Sequence, residues 1–165
     1  MILAARPAEL HEIVSCTTRP PREGEVDGVN YFFIDPEEFA YKVLNYEMLE
    51  ATSFNDWFYG TSYESLRSEI PNIGVFNPDG IRALQGRSDI DLTIFRITCL
   101  DKIRLLRQLN REDNPNVDEI IRRYKTDKED FFDLEFSYVE IENNDEEDLK
   151  LATCTILSQL GLMRE

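Results

Sequence analysis

Two arginines separated by two prolines form the first pattern in the chain that points to chemistry. Arg19 and Arg22 flank Pro20 and Pro21, whose fixed ring torsions make the connecting backbone stiff. A planar guanidinium can bind two oxygens of one phosphate at once, so this pair is typical of a site that holds a phosphate group. The alternative is that both arginines pair with some of the chain's many carboxylates at the surface.

A carboxylate within an apolar strand pattern is the second candidate. Glu50 lies in the sequence MLEAT, where an ionised side chain in a half-buried strand needs hydrogen-bond donors. The ring N–H and the amino group of a purine base can supply two such donors. Ser15 and Thr61 could complete a pocket for the base, and Tyr31 and Tyr59 could add phenol hydroxyls to the bound anion. Tyrosines at such positions simply pack in many proteins.

The composition limits the partners of such a site. The 165 residues carry 33 acidic and 18 basic side chains, a net charge of -15 at pH 7, which disfavours nonspecific binding to nucleic acid or anionic membranes. Three widely spaced cysteines and one histidine predict neither a disulfide framework nor a metal site. The chain has no apolar run near the roughly 20 residues that span a bilayer, and its first ten residues have no leader pattern. We therefore expect a cytoplasmic protein that binds neither nucleic acid nor membrane.

Alternating strand and helix patterns must position these residues. They predict an α/β fold, with a parallel sheet flanked by helices, in one domain over residues 1–165. A strand over 11–17, a hairpin about Asp27-Gly28 and a second hairpin over 48–60 with its tip near Asn55-Asp56 predict a small antiparallel part.

Helix-start signals occur twice between these strands. Asp35 with Pro36 predicts a helix over 36–46, and Thr61 with Glu64 predicts one over 62–70. The rest of the chain continues the alternation, with strands predicted at 73–77, 90–98 and 138–142 and helices at 78–86, 100–110, 114–132 and 145–160.

Two stretches together carry a family resemblance. The run SCTTRPPREGEVDGVNYFF (residues 15–33), followed by EATSFNDWFYGTS (50–62), closely resembles the GMP-binding region of guanylate kinases, with matching residues at matching spacing. The resemblance implies that four residues hold the phosphate of the nucleotide and three read the edge of guanine. The phosphate residues would be Arg19, Arg22, Tyr31 and Tyr59, and the base residues Ser15, Glu50 and Thr61. Glu25 matches a family acid close to the phosphate and metal region.

The resemblance continues toward the C-terminus. The run RQLNREDNPNVDEIIRRY is similar to the arginine-bearing lid of the family, which implies that Arg111 and Arg123 stabilise the transferring phosphoryl group, with Arg107 and Arg122 behind them. A solvated helix face is the alternative interpretation. Asn143 matches a residue near the adenine of the donor. The implied fold is that of P-loop nucleoside-monophosphate kinases, with a GMP-binding insert at about 17–63 and a helical lid at about 107–125.

The sequence departs from the family in two places. The 165 residues contain no G-x-x-x-x-G-K-[ST] sequence, the Walker A loop that cradles the donor phosphates, and Met1 aligns with the helix that follows this loop. We therefore expect this chain to be truncated at the ATP loop and nearly inactive alone. In GVFNPDG, Val75 and Asn77 stand where the family usually has Asp-x-Asp, which leaves the organisation of a metal and the choice of base open.

The resemblance implies transfer of phosphate from ATP, with Mg²⁺, to GMP or dGMP, which gives the nucleoside diphosphate. One alternative is a non-catalytic module that binds nucleotide or phosphopeptide, as guanylate-kinase-like scaffold domains do. Another is a viral or phage kinase that acts on other deoxynucleoside monophosphates, to which the altered GVFNPDG strand would point.

Overall fold

The computed structural model describes residues 8–54, 56–111 and 113–162, which form a mixed α/β fold. The chain divides between Leu92 and Thr93 into two compact units, called here the first and the second unit. The organisation as a single domain stays a prediction. Within the described ranges, no helix is both long and apolar enough to cross a membrane.

The first unit contains two sheets. In one, strand β1 (His11–Glu12) pairs in parallel with β6 (Asn72–Ile73). The other sheet has the strand order β3-β2-β5-β4, formed by β2 (Cys16–Thr17), β3 (Phe32–Phe33), β4 (Met48–Phe54) and β5 (Trp57–Ser62). β4 and β5 form the predicted antiparallel hairpin, and Asp56 at its turn has a φ of 64°. The predicted tip residue Asn55 lies outside the described residues.

The predictions for residues 11–17 and 26–34 were wrong in detail. The single predicted strand is two short strands, β1 and β2, which belong to different sheets. Around Asp27-Gly28 there is a turn and no hairpin, and β3 runs parallel to β2. The cause is local: Asp27 Oδ1 accepts the backbone N–H of Phe33 at 2.9 Å, while the Gly28 N–H donates to the Tyr31 carbonyl at 2.8 Å with a Gly28 φ of 73°. The side chain thus takes the group that a hairpin ladder would use.

The predicted helix over 62–70 is one 3-10 turn, Tyr63–Ser65. Thr61 does not cap it, because this residue pairs with Glu50 inside β5. The chain then closes a loop in which the Asn72 side chain donates to the Arg67 carbonyl and accepts from the Arg67 N–H, at 2.7 and 2.8 Å. These bonds replace helix hydrogen bonds.

Two helices of the first unit begin where the sequence predicts. Helix α1 (Pro36–Leu44) starts at Asp35, whose side chain accepts the Glu38 N–H at 2.7 Å. Helix α2 (Pro78–Leu84) is capped in the same way by Asn77. Phe39 of α1 is buried and stacks on Phe58 with 5.5 Å between ring centroids, which fixes α1 against the four-stranded sheet.

The second unit alternates strands and helices. β7 (Phe95–Thr98) and β8 (Val139–Glu142) pair in parallel, and the helices are α3 (Asp101–Leu109), α4 (Val117–Asp130) and α5 (Glu146–Gln159). Lys128 on α4 binds Asp101 on α3 at 2.8 Å, and the Arg104 guanidinium lies 4.3 Å from the Tyr124 ring centroid. These contacts hold α4 against α3. The core of this unit contains Phe136, Ile141, Ala152, Ile156 and Leu157.

Candidate functional site

Arg19 is a nearly buried cation held by one carboxylate. It is 8% exposed, and its two terminal nitrogens donate to the two carboxylate oxygens of Glu25, each at 3.0 Å. Glu25 also accepts the backbone N–H of Arg22 at 2.7 Å. These hydrogen bonds lower the pKa of Glu25 and raise that of Arg19. The loop across Pro20 and Pro21 is therefore closed by one carboxylate that fixes the Arg19 fork.

Aromatic rings line the same guanidinium. The rings of Tyr31 and Phe33 lie 5.6 and 5.7 Å from the Arg19 guanidinium carbon, and Tyr31 meets Tyr59 edge-on at 6.1 Å between centroids. The structure thus brings together three of the residues predicted to hold phosphate. The fourth, Arg22, is exposed, and its guanidinium forms no ion pair within the described residues. Arg22 therefore adds an unpaired positive charge at the rim.

The three residues predicted to read a base are also neighbours. Glu50 in β4 lies opposite Thr61 in β5, and the Thr61 hydroxyl is 3.2 Å from that of Ser15. Glu50 is 8% exposed and Thr61 is fully buried. Burial raises the pKa of Glu50, while hydrogen bonds from the hydroxyl and the backbone N–H of Thr61 partly offset this rise. A carboxylate in this position needs further donors to be fully hydrogen-bonded when ionised.

Two threonines that we did not predict as site residues fix the loop that carries Arg19. The Thr17 hydroxyl donates to the Phe58 carbonyl at 3.0 Å and accepts the Arg19 N–H at 3.2 Å. Thr18 Oγ1 accepts the Phe58 N–H at 2.9 Å. The signal was available, because both belong to the SCTTR run, but sequence spacing does not show that they bind β5 instead of a ligand.

The lid arginines lie in the second unit. Arg123 donates from Nε to Glu119 at 2.7 Å, and Arg122 forms two bonds to the same carboxylate at 2.6 and 2.8 Å. Hydrogen bonds from both arginines lower the pKa of Glu119 to about 2. Arg111 is exposed just after α3. One carboxylate thus holds two of the cations that the sequence suggested for the lid.

Arg107 and Asn143 meet in the same unit. The guanidinium of Arg107 donates to the carbonyls of Asn143 and Asn144 at 2.7 and 3.1 Å. The Asn143 N–H donates to the Thr98 carbonyl at 2.8 Å, which ends the pairing of β8 with β7. Arg107 therefore supports the segment that carries Asn143.

A family model identifies the protein family to which this chain is similar. The family model described as guanylate kinase matches residues 1–159. The chain belongs to the guanylate kinase family.

Relatives in the guanylate kinase family match the chain to different extents. A guanylate kinase of Mesoplasma florum is 50% identical over 69 residues, a match that covers 42% of this chain and 23% of that protein. One of Bacteroides fragilis is 31% identical over 172 residues and is matched over 99% of this chain and 83% of its own length. The crystal structure of guanylate kinase from Anaplasma phagocytophilum superposes with a TM-score of 0.71 at 22% identity, over 99% of this chain and 81% of that one, which confirms the fold.

Fewer of the described residues correspond to the part of a guanylate kinase that is expected to bind ATP and a metal ion. Among residues 8–54, 56–111 and 113–162, no group of three His, Cys, Asp or Glu side chains is placed to hold a metal ion. Asn77, which stands in place of a family aspartate, accepts the Gly80 N–H as the cap of α2. The side-chain oxygen of Asn77 therefore already accepts a hydrogen bond at the start of α2.

One cavity of the first unit lies apart from the predicted guanylate kinase site. It has a volume of about 600 Å³, and its lining includes Cys16, Lys42 and Glu64. None of the seven residues predicted to bind the acceptor nucleotide lines it. The Arg19–Glu25 pair and the group formed by Glu50, Thr61 and Ser15 therefore lie outside this cavity.

Proposed function

We propose that the first unit binds GMP or dGMP as the acceptor of a phosphoryl group from ATP. The base would contact Glu50, Thr61 and Ser15, and the 5′-phosphate would lie near Arg19, Arg22 and the tyrosine pair. The single observation that carries this proposal is the almost fully buried Glu50 carboxylate, which pairs with Thr61 on the same hairpin and so adjoins the hydroxyl pair that Thr61 forms with Ser15.

The chemistry of Glu50 favours guanine over adenine. The Watson–Crick edge of guanine presents a ring N–H and an amino group side by side, and both can donate to one carboxylate. Adenine presents an unprotonated ring nitrogen at the corresponding position, which would face the carboxylate without a hydrogen bond. A buried polar group left unpaired costs far more than a poor apolar fit, so this site should reject adenine strongly.

The phosphate side is supported by charge and by stiffness. Glu25 neutralises Arg19 in the free protein, so the net positive charge comes from Arg22. A phosphate dianion would bring negative charge to both guanidinium groups and to the hydroxyls of Tyr31 and Tyr59. Because Glu25 and the Thr17 hydroxyl already fix Arg19, little side-chain freedom remains to be lost on binding.

The transfer step itself is a proposal from the family. Mg²⁺·ATP supplies the phosphoryl group, and Arg111 and Arg123 are proposed to stabilise its charge, with Asn143 near the adenine. Arg123 would first have to leave Glu119 or turn from it. The described residues include no group of carboxylates, histidines or cysteines placed to hold a metal ion, and the 165 residues contain no Walker A sequence. We propose that these 165 residues alone bind the acceptor without rapid transfer.

A phosphopeptide-binding module is the second candidate. Two observations favour it: the exposed guanidinium of Arg22, which forms no ion pair with the residues that the structure describes, and the absence of a Walker A sequence from the 165 residues. Such a module would use the phosphate residues and leave Glu50 without a partner. The behaviour of Glu50 variants therefore distinguishes the two candidates.

Calorimetric titration with GMP, dGMP, AMP and a phosphoserine peptide tests the proposal. We expect GMP and dGMP to bind, AMP to bind at least about 100-fold more weakly, and Arg19→Ala and Glu50→Gln each to weaken GMP by about 100-fold. Arg67→Ala is the matched control, because this exposed arginine belongs to the same unit and has no role in the proposed site.

The other outcomes are equally informative. Peptide binding that depends on Arg19 but is unchanged by Glu50→Gln would replace the kinase proposal with the binding module. Equal affinity for GMP and AMP would refute the role of Glu50. A coupled assay of ADP formation with GMP and Mg²⁺·ATP should stay at background for the 165 residues, and rapid turnover would contradict that part of the proposal.

A further inference from the structure

The strand that carries Glu50 contains an irregularity at Leu49. Met48 pairs with Ser62, but Glu50 pairs with Thr61, so two steps along β4 correspond to one step along β5. This is the pattern of a β-bulge, which inserts an extra residue and turns the side chains that follow it. Without the extra residue, the register of β4 would shift by one and the side chain of Glu50 would lie on the other face of the sheet. The bulge thus sets Glu50 opposite Thr61 and determines the face on which its carboxylate lies.

One arginine from outside the sheet binds this bulge. Arg87, in the loop after α2, donates from Nη1 to the Leu49 carbonyl at 3.1 Å. Its Nη2 donates to the Tyr63 hydroxyl just after β5, and its guanidinium carbon lies 5.5 Å from the Tyr63 ring centroid. Asp89 holds the guanidinium from the other side, with the Arg87 Nε donating to Asp89 Oδ1 at 3.0 Å. Arg87 therefore joins the bulge in β4 to the residue that follows the end of β5.

We propose that Arg87 is a positioning residue for base recognition, because it fixes the bulge that aims Glu50 at the bound base. This inference rests on the proposed function. Arg87 acts through the backbone, since the structure shows no bond from its guanidinium to Glu50 or Thr61 among the described residues. A planar guanidinium suits this role because its donors to the carbonyl, the hydroxyl and the carboxylate are held in one rigid plane, whereas the three donors of an ammonium group rotate at the end of a flexible stem.

The affinities for the two purine nucleotides GMP and IMP distinguish an effect on the direction of the Glu50 carboxylate from an effect on the stability of the first unit. Both present the ring N–H, but only GMP has the second donor, the 2-amino group, so a carboxylate that is slightly turned loses the GMP advantage first. In Arg87→Met we expect the ratio of GMP to IMP affinity to fall by about tenfold, with IMP affinity nearly unchanged. Arg87→Lys should show the same loss, because it keeps the charge but not the geometry.

Arg67→Met is the matched control, since it removes an exposed arginine of the same unit and should leave both affinities unchanged. An equal loss of both affinities in Arg87→Met would show that Arg87 only stabilises the unit, and unchanged affinities for both nucleotides would show that the bulge does not need it. Either result overturns the inference.

We call the contacts of Arg87 with the Leu49 carbonyl and with Tyr63 the clamp. Amide hydrogen exchange tests this clamp without any nucleotide. In Arg87→Met we expect faster exchange at residues 49–50 and 61–63 than in the parent chain, with residues 52–54 and 57–59 unchanged. A parent chain that binds neither nucleotide would refute the proposed function, and the exchange experiment would still decide the clamp. Unchanged exchange in Arg87→Met would refute the clamp by itself.

Discussion

At the scale of single residues, the buried carboxylate of Glu50 lowers the stability of the free protein, and we propose that it serves base binding. Its burial raises its pKa, which means that the folded state binds a proton more tightly than the unfolded chain does. The ionised form therefore reduces stability above this raised pKa. A bound guanine would reverse the balance, since its two donors stabilise the carboxylate.

The affinity for GMP should consequently fall as the pH falls. Protonation of Glu50 removes one acceptor and places a donor against the ring N–H of guanine. Because the pKa is raised, the loss should begin above the ordinary range of a glutamate and approach about tenfold per pH unit below the raised pKa. Calorimetry from about pH 8 to about pH 5 measures it, with buffers of different ionisation enthalpy to count the protons. The nucleotide phosphate, with a second pKa of about 6, also titrates in this range, so the prediction concerns the difference between the parent chain and Glu50→Gln, in which only the phosphate contributes. Identical pH profiles in the two chains would contradict it.

Replacing Glu50 should raise the stability of the protein and lower its affinity for GMP. Glu50→Gln keeps an acceptor for the Thr61 N–H but removes the buried charge, so we expect the free energy of unfolding at neutral pH to rise by about 1 kcal/mol while GMP affinity is lost. Urea unfolding monitored by the fluorescence of Trp57 measures the stability. Thr52→Val, which lies in the same strand and away from the base residues, controls for changes in the hairpin. A less stable Glu50→Gln would show that the carboxylate contributes to folding.

The Thr17 hydroxyl supports the loop that carries Arg19. This residue is fully buried, and Thr17→Val keeps its shape but leaves the Phe58 carbonyl and the Arg19 N–H without their partner. We expect a loss of about 1–3 kcal/mol in the free energy of unfolding and weaker GMP binding. Thr17→Ser, which keeps the hydroxyl, should retain most of the binding. Wild-type affinity in Thr17→Val would show that Glu25 alone holds Arg19.

At the scale of elements, the hairpin of β4 and β5 is the part of the site that tolerates least change. A side chain at Gly60 would place its Cβ 2.7 Å from the Glu50 carbonyl and also against Met48. Gly60→Ala should therefore cost about 1–3 kcal/mol of stability and weaken GMP binding, because the backbone of the neighbouring strand has to move. Urea unfolding and calorimetry measure both effects. Shortening Met48 to alanine in the same chain should not restore either one, since the clash with the carbonyl remains.

The elements also show what the sequence can reveal. Asp35 with Pro36 predicted the start of α1 correctly, because the cap bond is local. Thr61 with Glu64 has similar spacing, yet Thr61 is taken by the pairing of β5 with β4, a tertiary contact that spacing cannot show. The Leu49 bulge and its contact with Arg87 were not predicted for the same reason, since the partners are 38 residues apart. Residue types and spacing singled out the residues of the acceptor site, the family resemblance implied their individual roles, and these roles stay predictions.

At the scale of the whole molecule, the net charge of -15 opposes the approach of any nucleotide anion. In the proposed site, local arginines offset this repulsion, and these arginines lie in both units. The acceptor residues Arg19 and Arg22 belong to the first unit, while Arg111 and Arg123 belong to the second. Binding of the acceptor and stabilisation of the transferring group should therefore be separable by mutation.

Arg123→Met should leave GMP affinity within about twofold of the parent value, because every residue proposed to bind GMP lies in the first unit. The same change frees Glu119 from one of its two arginines, so the pKa of this carboxyl should rise from about 2 toward its ordinary value. Calorimetry measures the affinity, and carbon-13 NMR of the glutamate carboxyls follows the pKa. Arg19→Met gives the opposite pattern, a large loss of GMP affinity with no change at Glu119. If Arg123→Met weakened GMP as strongly as Arg19→Met does, the second unit would contribute directly to acceptor binding, and the division of roles between the units would be wrong.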